Sequence, residues 1–176
     1  MVSETPYRVR PCTRADALAL RALRLEALRD TPDAYGTTFE ESVRWSRDRW
    51  EEMAATLNYF LAESQGRAVG MVSGGRNDRH PGTLWMYAMY VTPDARGTGV
   101  AAQLVEAVSQ WVLERGGAQL YLHVTSAVPR ARAFYRKIGF RETGETFTMD
   151  RDPSLVLVTM VRNLDELREP TVDGVA

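Results

Sequence analysis

Hydrophobic and polar positions along this chain follow two periods, and the switches between them mark out strands and helices. Tyr7 to Cys12 alternates as a strand, with Tyr7, Val9 and Pro11 on one face. Pro11 ends that strand or places it on an edge, because it has no amide proton for a ladder. Thr13-Arg-Ala-Asp16 resembles a capping box, and Leu18, Ala22, Leu25 and Leu28 then recur at helical spacing. The helix stops by Thr31-Pro32. After a glycine-containing loop, Asp33 to Thr38, helical period returns over Ser42 to Leu57, with Val43, Trp50, Met53 and Leu57 on one stripe.

Tyr59 to Glu63 and Ala68 to Ser73 predict a hairpin about a turn at Gly66, and Gly74 to Gly82 reads as a polar loop. Leu84 to Val91 is nearly continuous in apolar and aromatic residues, as suits a central strand covered on both faces. The next helix, Val100 to Arg115, buries Val100, Leu104, Ala107 and Trp111 and stops at Gly116-Gly117. A buried strand over Gln119 to Val124 and a helix from Pro129 to Gly139 follow. Phe140 to Met149 and Leu155 to Val161 close the pattern around a turn at Asp150 to Pro153. Apolar content falls after Asn163, so the expected organisation is one domain over 1–163 and a tail over 164–176.

Composition fits one globular domain: 176 residues, 44% apolar and 26% charged, enough to bury roughly 70% of the unfolded surface. The net charge of −1 gives no electrostatic reason to favour nucleic acid or an anionic membrane. No apolar run approaches the roughly 18 residues of a membrane span, and no basic stretch followed by an apolar run opens the chain. A soluble, cytoplasmic protein is expected. Cys12 is the only cysteine, and with His80 and His123 it forms no recognisable ligand spacing, so no metal is expected.

The chemistry concentrates between the strand ending at Val91 and the helix beginning at Val100. In Arg96-Gly97-Thr98-Gly99-Val100-Ala101 the two glycines allow a tight turn that presents consecutive backbone N–H groups, with the positive end of a helix dipole behind them. Such a nest binds an anion, and a diphosphate is the expected occupant. Arg96 can add a charge-assisted bond. A nucleoside-triphosphatase loop would end in Gly-Lys-Ser/Thr, which is absent. A dinucleotide site matches Gly97-Thr-Gly99-Val-Ala-Ala102 but calls for an acidic residue roughly 20 residues on, where this chain has Thr125 and Ser126 after its next strand.

The third reading is the diphosphate of CoA. Arg96 to Ala101 resembles the Gln/Arg-x-x-Gly-x-Gly/Ala signature of the GCN5-related N-acetyltransferase (GNAT) family, Tyr90-Val91-Thr92-Pro93 supplies the strand end that precedes it, and Phe134-Tyr135-Arg-Lys-Ile-Gly139-Phe140 resembles the short helix that follows later. The order βααβββαβαββ is also the family's. The resemblance implies an α/β (α+β) GNAT fold: a central, mostly antiparallel sheet of six to seven strands with helices on both faces.

It further implies an acetyl-CoA-dependent N-acetyltransferase. Acetyl-CoA would lie where the strands ending at Val91 and Val124 splay apart, its pantetheine arm pairing with backbone near Met89, Tyr90 and Val91, its diphosphate on Arg96, Gly97, Thr98, Gly99, Val100 and Ala101, with Phe134 and Tyr135 beside it. A primary amine would attack the thioester, and Tyr135 matches the family's general acid for the departing thiolate. The strand from Leu84 to Val91 lacks the glutamate that serves some relatives as base. Glu41 and Glu40, in a region that lines the acceptor pocket of relatives, and His123 are the remaining candidates, beside a route through water. With Tyr35 they make up the expected acceptor site. The asparagine that relatives place seven residues before the helix tyrosine is here Val128.

Arg24 to Gly36 resembles a stretch found in many bacterial acetyltransferases of unassigned substrate. A small-molecule amine is the expected acceptor, a protein N-terminus or lysine the second choice, and a homodimer would fit the family. A reading from another class is a CoA-binding module without catalysis.

Overall fold

The computed structural model describes residues 7–167. In chain order it forms β1 (Arg8–Pro11), α1 (Ala17–Asp30), a single-turn α2 (Phe39–Ser42), α3 (Arg47–Thr56), β2 (Tyr59–Ser64), β3 (Arg67–Arg76), β4 (Leu84–Val91), α4 (Val100–Leu113), β5 (Gln119–Thr125), α5 (Pro129–Lys137), β6 (Arg141–Met149) and β7 (Asp152–Asn163). The strands make one seven-stranded sheet in the order β1-β2-β3-β4-β5-β7-β6. Every neighbouring pair is antiparallel except β4 and β5, which α4 connects as a crossover. This is the mostly antiparallel sheet expected from the resemblance.

Both faces of the sheet are covered. Ala62, Val72, Met86, Leu120 and Leu122 point to one face and pack with Val100, Leu104, Val108 and Val112 of α4. Leu61, Met71 and Tyr90 point to the other and pack with Leu20, Leu23, Ala27 and Leu28 of α1 and Trp50 of α3. Neighbouring residues such as Leu61 and Ala62 go to opposite cores, as the pleat requires. Among the described residues no helix is long and apolar enough to cross a membrane.

Two expectations are corrected. The stretch from Ser42 to Leu57 is not one helix: Thr38 caps α2, accepting from Glu41 N–H, and Ser46 caps α3 anew, accepting from Arg49 N–H. The apolar stripe of α1 is also rotated from the expected one. Leu18 is 73% exposed and Ala22 is exposed, Leu25 and Leu28 are buried as expected, and the buried face runs through Ala17, Leu20, Leu23, Arg24, Leu25, Ala27 and Leu28. That rotation carries an arginine into the protein. At the other end, Leu164 is fully buried, its N–H bonded to Ala118 O, and a 3-10 turn over Asp165–Leu167 follows. The rest of the expected tail, 168–176, lies outside the described residues.

Candidate active site

β4 and β5 part company halfway along. They pair at Leu84, Trp85 and Met86, opposite Leu120, Tyr121 and Leu122, and no further, although β4 runs on to Val91 and β5 to Thr125. The cause lies in β4. Between the pairs Met71–Tyr90 and Ser73–Tyr87, β4 uses one residue more than β3, and Ala88 in that bulge has φ +54°. A left-handed conformation at a residue with a Cβ costs about 1–2 kcal/mol, so the surrounding contacts must hold it. One of them is direct: the Tyr35 hydroxyl donates to Met89 O at 2.9 Å.

The loop after β4 has the geometry of an anion nest. Gly97 and Gly99 have φ of +77° and +91°, and a Cβ at either would meet no atom within 4 Å. Backbone conformation, not crowding, therefore calls for glycine. The Thr98 hydroxyl bonds Ala95 O at 2.6 Å and fixes the turn. Gln103 N–H to Gly99 O is the bond that opens the helix, so the N–H groups of Val100, Ala101 and Ala102 precede its ladder. Arg96 turns elsewhere: its Nε donates to Val91 O at 3.1 Å and its Nη2 pairs with Asp30 at the end of α1. Arg130 of α5 approaches the same carboxylate at 3.8 Å, and Arg132 is tied to Glu142 of β6 at 2.7 Å.

A cavity of about 860 Å³ opens at the splay, and Tyr35, Met89, His123, Thr125, Val128 and Tyr135 are among its walls. Tyr135 is seated on α5 by contacts with Phe134 and Phe140, at ring-centroid distances of 5.3 and 5.5 Å. Burial pushes its phenol well above the usual range, so it stays protonated through neutral pH. Burial likewise raises Tyr35 to about 12. His123 is pushed down to about 4, by burial first and then by His80, and its Nδ1 lies 3.3 Å from Thr159 Oγ1. It is neutral at pH 7. The side chain of Tyr90 is core, its hydroxyl bonded to Glu26 at 3.1 Å, so only its backbone can face the splay.

The two glutamates do not join this group. Glu41 is exposed, and its carboxylate accepts from Thr38 N–H at 2.8 Å and from Thr38 Oγ1 at 3.1 Å, the first of which chiefly holds it below the usual carboxylate range. Glu40 lines a separate groove with Phe39 and Arg151. Among the described residues no carboxylate lines the large cavity, whereas Arg24, Arg76 and Arg115 do. None of the three is among the residues expected at the site. Position 24 falls on the stripe that Leu20, Leu23, Ala27 and Leu28 define once α1 has packed.

A model of the acetyltransferase (GNAT) family matches residues 20–140, from α1 to the Gly-Phe that closes α5. The chain belongs to this family. Mycothiol acetyltransferase of Thermobispora bispora is 30% identical over 129 residues, 71% of this chain and 43% of the relative. Human N-acetyltransferase 8 is 29% identical over 92 residues, 51% of this chain and 40% of the relative. The chain thus spans less than half the length of either curated relative. A Salmonella typhimurium protein solved with its cofactor acetyl-CoA shares the fold with a TM-score of 0.70, at 20% identity, over 94% of this chain and 98% of that one. The bulged half of β4, the glycine loop and Tyr135 all fall within the part of this GNAT chain that the family model matches.

Proposed function

We propose that this GNAT protein moves the acetyl group of acetyl-CoA to a primary amine, with a small molecule as the acceptor. The observation that carries the reading is the sequence of one nest, one splay and one cavity: the unladdered N–H groups at Gly99 to Ala102 lie at the end of a strand whose bulged half is unpaired with β5, and that half walls the cavity holding Tyr135. The N–H groups of residues 97–101 are suited to a diphosphate, and the open edge of β4 near Met89 to Val91 to an amide-bearing arm. The carbonyls of Met89 and Val91 already accept from Tyr35 and Arg96, so the strand's N–H groups and second lone pairs are what remain for a ligand.

The amine nitrogen attacks the thioester carbon, a C–N bond forms, the C–S bond breaks, and the nitrogen loses a proton. Tyr135 donates a hydrogen bond to the sulfur as it departs. Because the phenol is a weaker acid than a thiol of pKa about 8.5, donation without full transfer is its favoured role, and protonation of the thiolate is completed from solvent. An alkyl ammonium at pH 7 faces a handicap of about 4.6 kcal/mol before it can attack. A cavity carrying three arginines and apolar walls, with no carboxylate among the described residues, lowers the pKa of an entering ammonium through like charge and desolvation. Neutral His123 lines the cavity, and because a pKa of about 4 leaves it unable to keep a proton at pH 7, the role that fits it is to relay the proton to water.

A thiol-release assay over small amines, amino acids, peptides, polyamines and aminoglycosides tests the reading, with calorimetry for CoA beside it. Heat of binding plus turnover of at least one small amine is expected, and Tyr135→Phe lowers kcat about 10²-fold while CoA affinity holds. Binding without turnover across the panel would instead favour a CoA-binding module, and no heat at millimolar CoA would remove the reading altogether.

A further inference from the structure

Arg24 is 9% exposed, sits on the inner stripe of α1 and lines the large cavity. Its Nη2 donates to Thr37 Oγ1 at 2.9 Å, and its guanidinium carbon lies 4.7 Å from the centre of the Tyr35 ring. Its Nε and Nη1 are buried and have no hydrogen-bond partner. Among the described residues it makes no ion pair. Four of the five half-buried arginines are handled differently: Arg10 meets Asp16 and Glu63, Arg96 meets Asp30, Arg132 meets Glu142 and Arg162 meets Glu106.

An arginine does not escape burial by losing its proton. Withdrawing an ion from water without a countercharge is costly, and one hydroxyl and one aromatic face offset only part of that cost. Folds retain such a group where a ligand completes it. The guanidinium presents donors on both edges, and a carboxylate or similar oxyanion takes two parallel bonds from one edge.

We propose that Arg24 is the anion receptor of the acceptor site, so that the amine acetylated by this protein carries an oxyanion, as an amino acid does. This rests on the acetyl-transfer reading above. The chemistry of the walls agrees with it, since a cavity containing Arg24, Arg76 and Arg115 and no carboxylate among the described residues repels polyamines and aminoglycosides, which bring several positive charges. Tyr35 joins the two halves of such a site. Its ring stacks on Arg24 while its hydroxyl holds Met89 O, at the bulge that opens the splay.

The test compares matched acceptors at saturating acetyl-CoA: amino acids against their carboxamides, and aminoalkylphosphonates against their diesters. In the wild-type protein the acids are expected to exceed their neutral partners at least tenfold in kcat/KM. Arg24→Gln raises KM for the acids at least tenfold, leaves the amides within about twofold and leaves CoA affinity unchanged. Arg24→Lys keeps the charge without the fork and falls between the two. Whether carboxylates or phosphonates lead identifies the oxyanion, and either upholds the proposal. Equal use of acids and amides by the wild-type protein overturns it, as does an Arg24→Gln variant that slows both alike. The wild-type comparison stands even if the variants fail to fold. If no amine is acetylated, the transfer reading fails separately, and calorimetry of the CoA complex with N-acetyl amino acids decides the anion site. Binding that Arg24→Gln abolishes sustains it, and no binding to the wild-type protein overturns it.

Discussion

The Tyr35 hydroxyl bonds Met89 O at 2.9 Å, joining the loop after α1 to the bulged half of β4. Tyr35 is 7% exposed, and Arg151, from the turn between β6 and β7, holds its carbonyl at 2.8 Å. Tyr35, which holds the bulge, is thus itself held by Arg151. Tyr35→Phe keeps the ring and the packing and deletes only this donor, so about 0.5–1.5 kcal/mol of stability is lost. Urea denaturation reads that loss, and amide exchange is expected to accelerate at residues 88–91 before it does in the rest of β4. Unchanged exchange there would separate Tyr35 from the bulge.

Gly99 makes the nest testable apart from the fold. A Cβ at φ +91° costs about 1–2 kcal/mol and meets no protein atom within 4 Å, so beyond that strain its expected effect falls on the anion proposed to bind there. Gly99→Ala is therefore expected to weaken CoA at least tenfold in calorimetry and to lower Tm by a few degrees. Gly116→Ala is the control, since φ there is +74° and the space is equally clear, at the far end of α4. It carries a similar backbone cost and binds CoA normally. Equal affinities in the two variants would argue against an anion at Gly99.

Much of this was legible in the chain because it depends on backbone and on local signals. The glycines at 97 and 99, the Pro129 start of α5 and the Gly139-Phe140 finish all specify conformations that few other residues permit, and each was readable from position alone. The phase of α1 was not. Leu18 is as apolar as Leu20 and Leu23, and only packing against β3 and β4 decides which leucines turn inward. Arg24 was hidden by the same ambiguity. The two glutamates show another limit: Thr38 and Glu41 spell a capping box, and that local use consumes the carboxylate offered for catalysis.

His123 gives stability a pH dependence of known sign. Its folded pKa of about 4 lies below the ordinary histidine value of 6.5, so in the interval between them the unfolded chain binds more protons. Its contribution is fully present above pH 6.5 and is lost as pH falls towards 4. His123→Gln removes the titration, so the stability difference between wild type and variant narrows over that interval and is flat above it. Urea midpoints at roughly half-unit steps across that interval and up to slightly alkaline pH measure it, and the difference cancels the carboxylates that both proteins share. A constant difference would mean that His123 titrates near its ordinary value.

Asp30 stands between two arginines from different elements, Arg96 before α4 and Arg130 at the start of α5. Burial pushes its carboxyl up, but bonds from Arg96 and Thr31 outweigh that and hold it below the usual range. The side chains of Asp30 and Arg96 are 28% and 32% exposed and that of Arg130 is 62% exposed, so the pairs contribute at most about 1 kcal/mol to the fold. Asp30→Asn keeps the shape, removes the countercharge and frees both guanidinium groups for the diphosphate proposed at the glycine loop. CoA affinity is expected to rise about three- to tenfold at low salt, and the gain fades at high salt as screening shortens the reach of the freed charges. A fall in affinity at every salt concentration would give Asp30 the opposite part, that of holding Arg96 where the loop needs it.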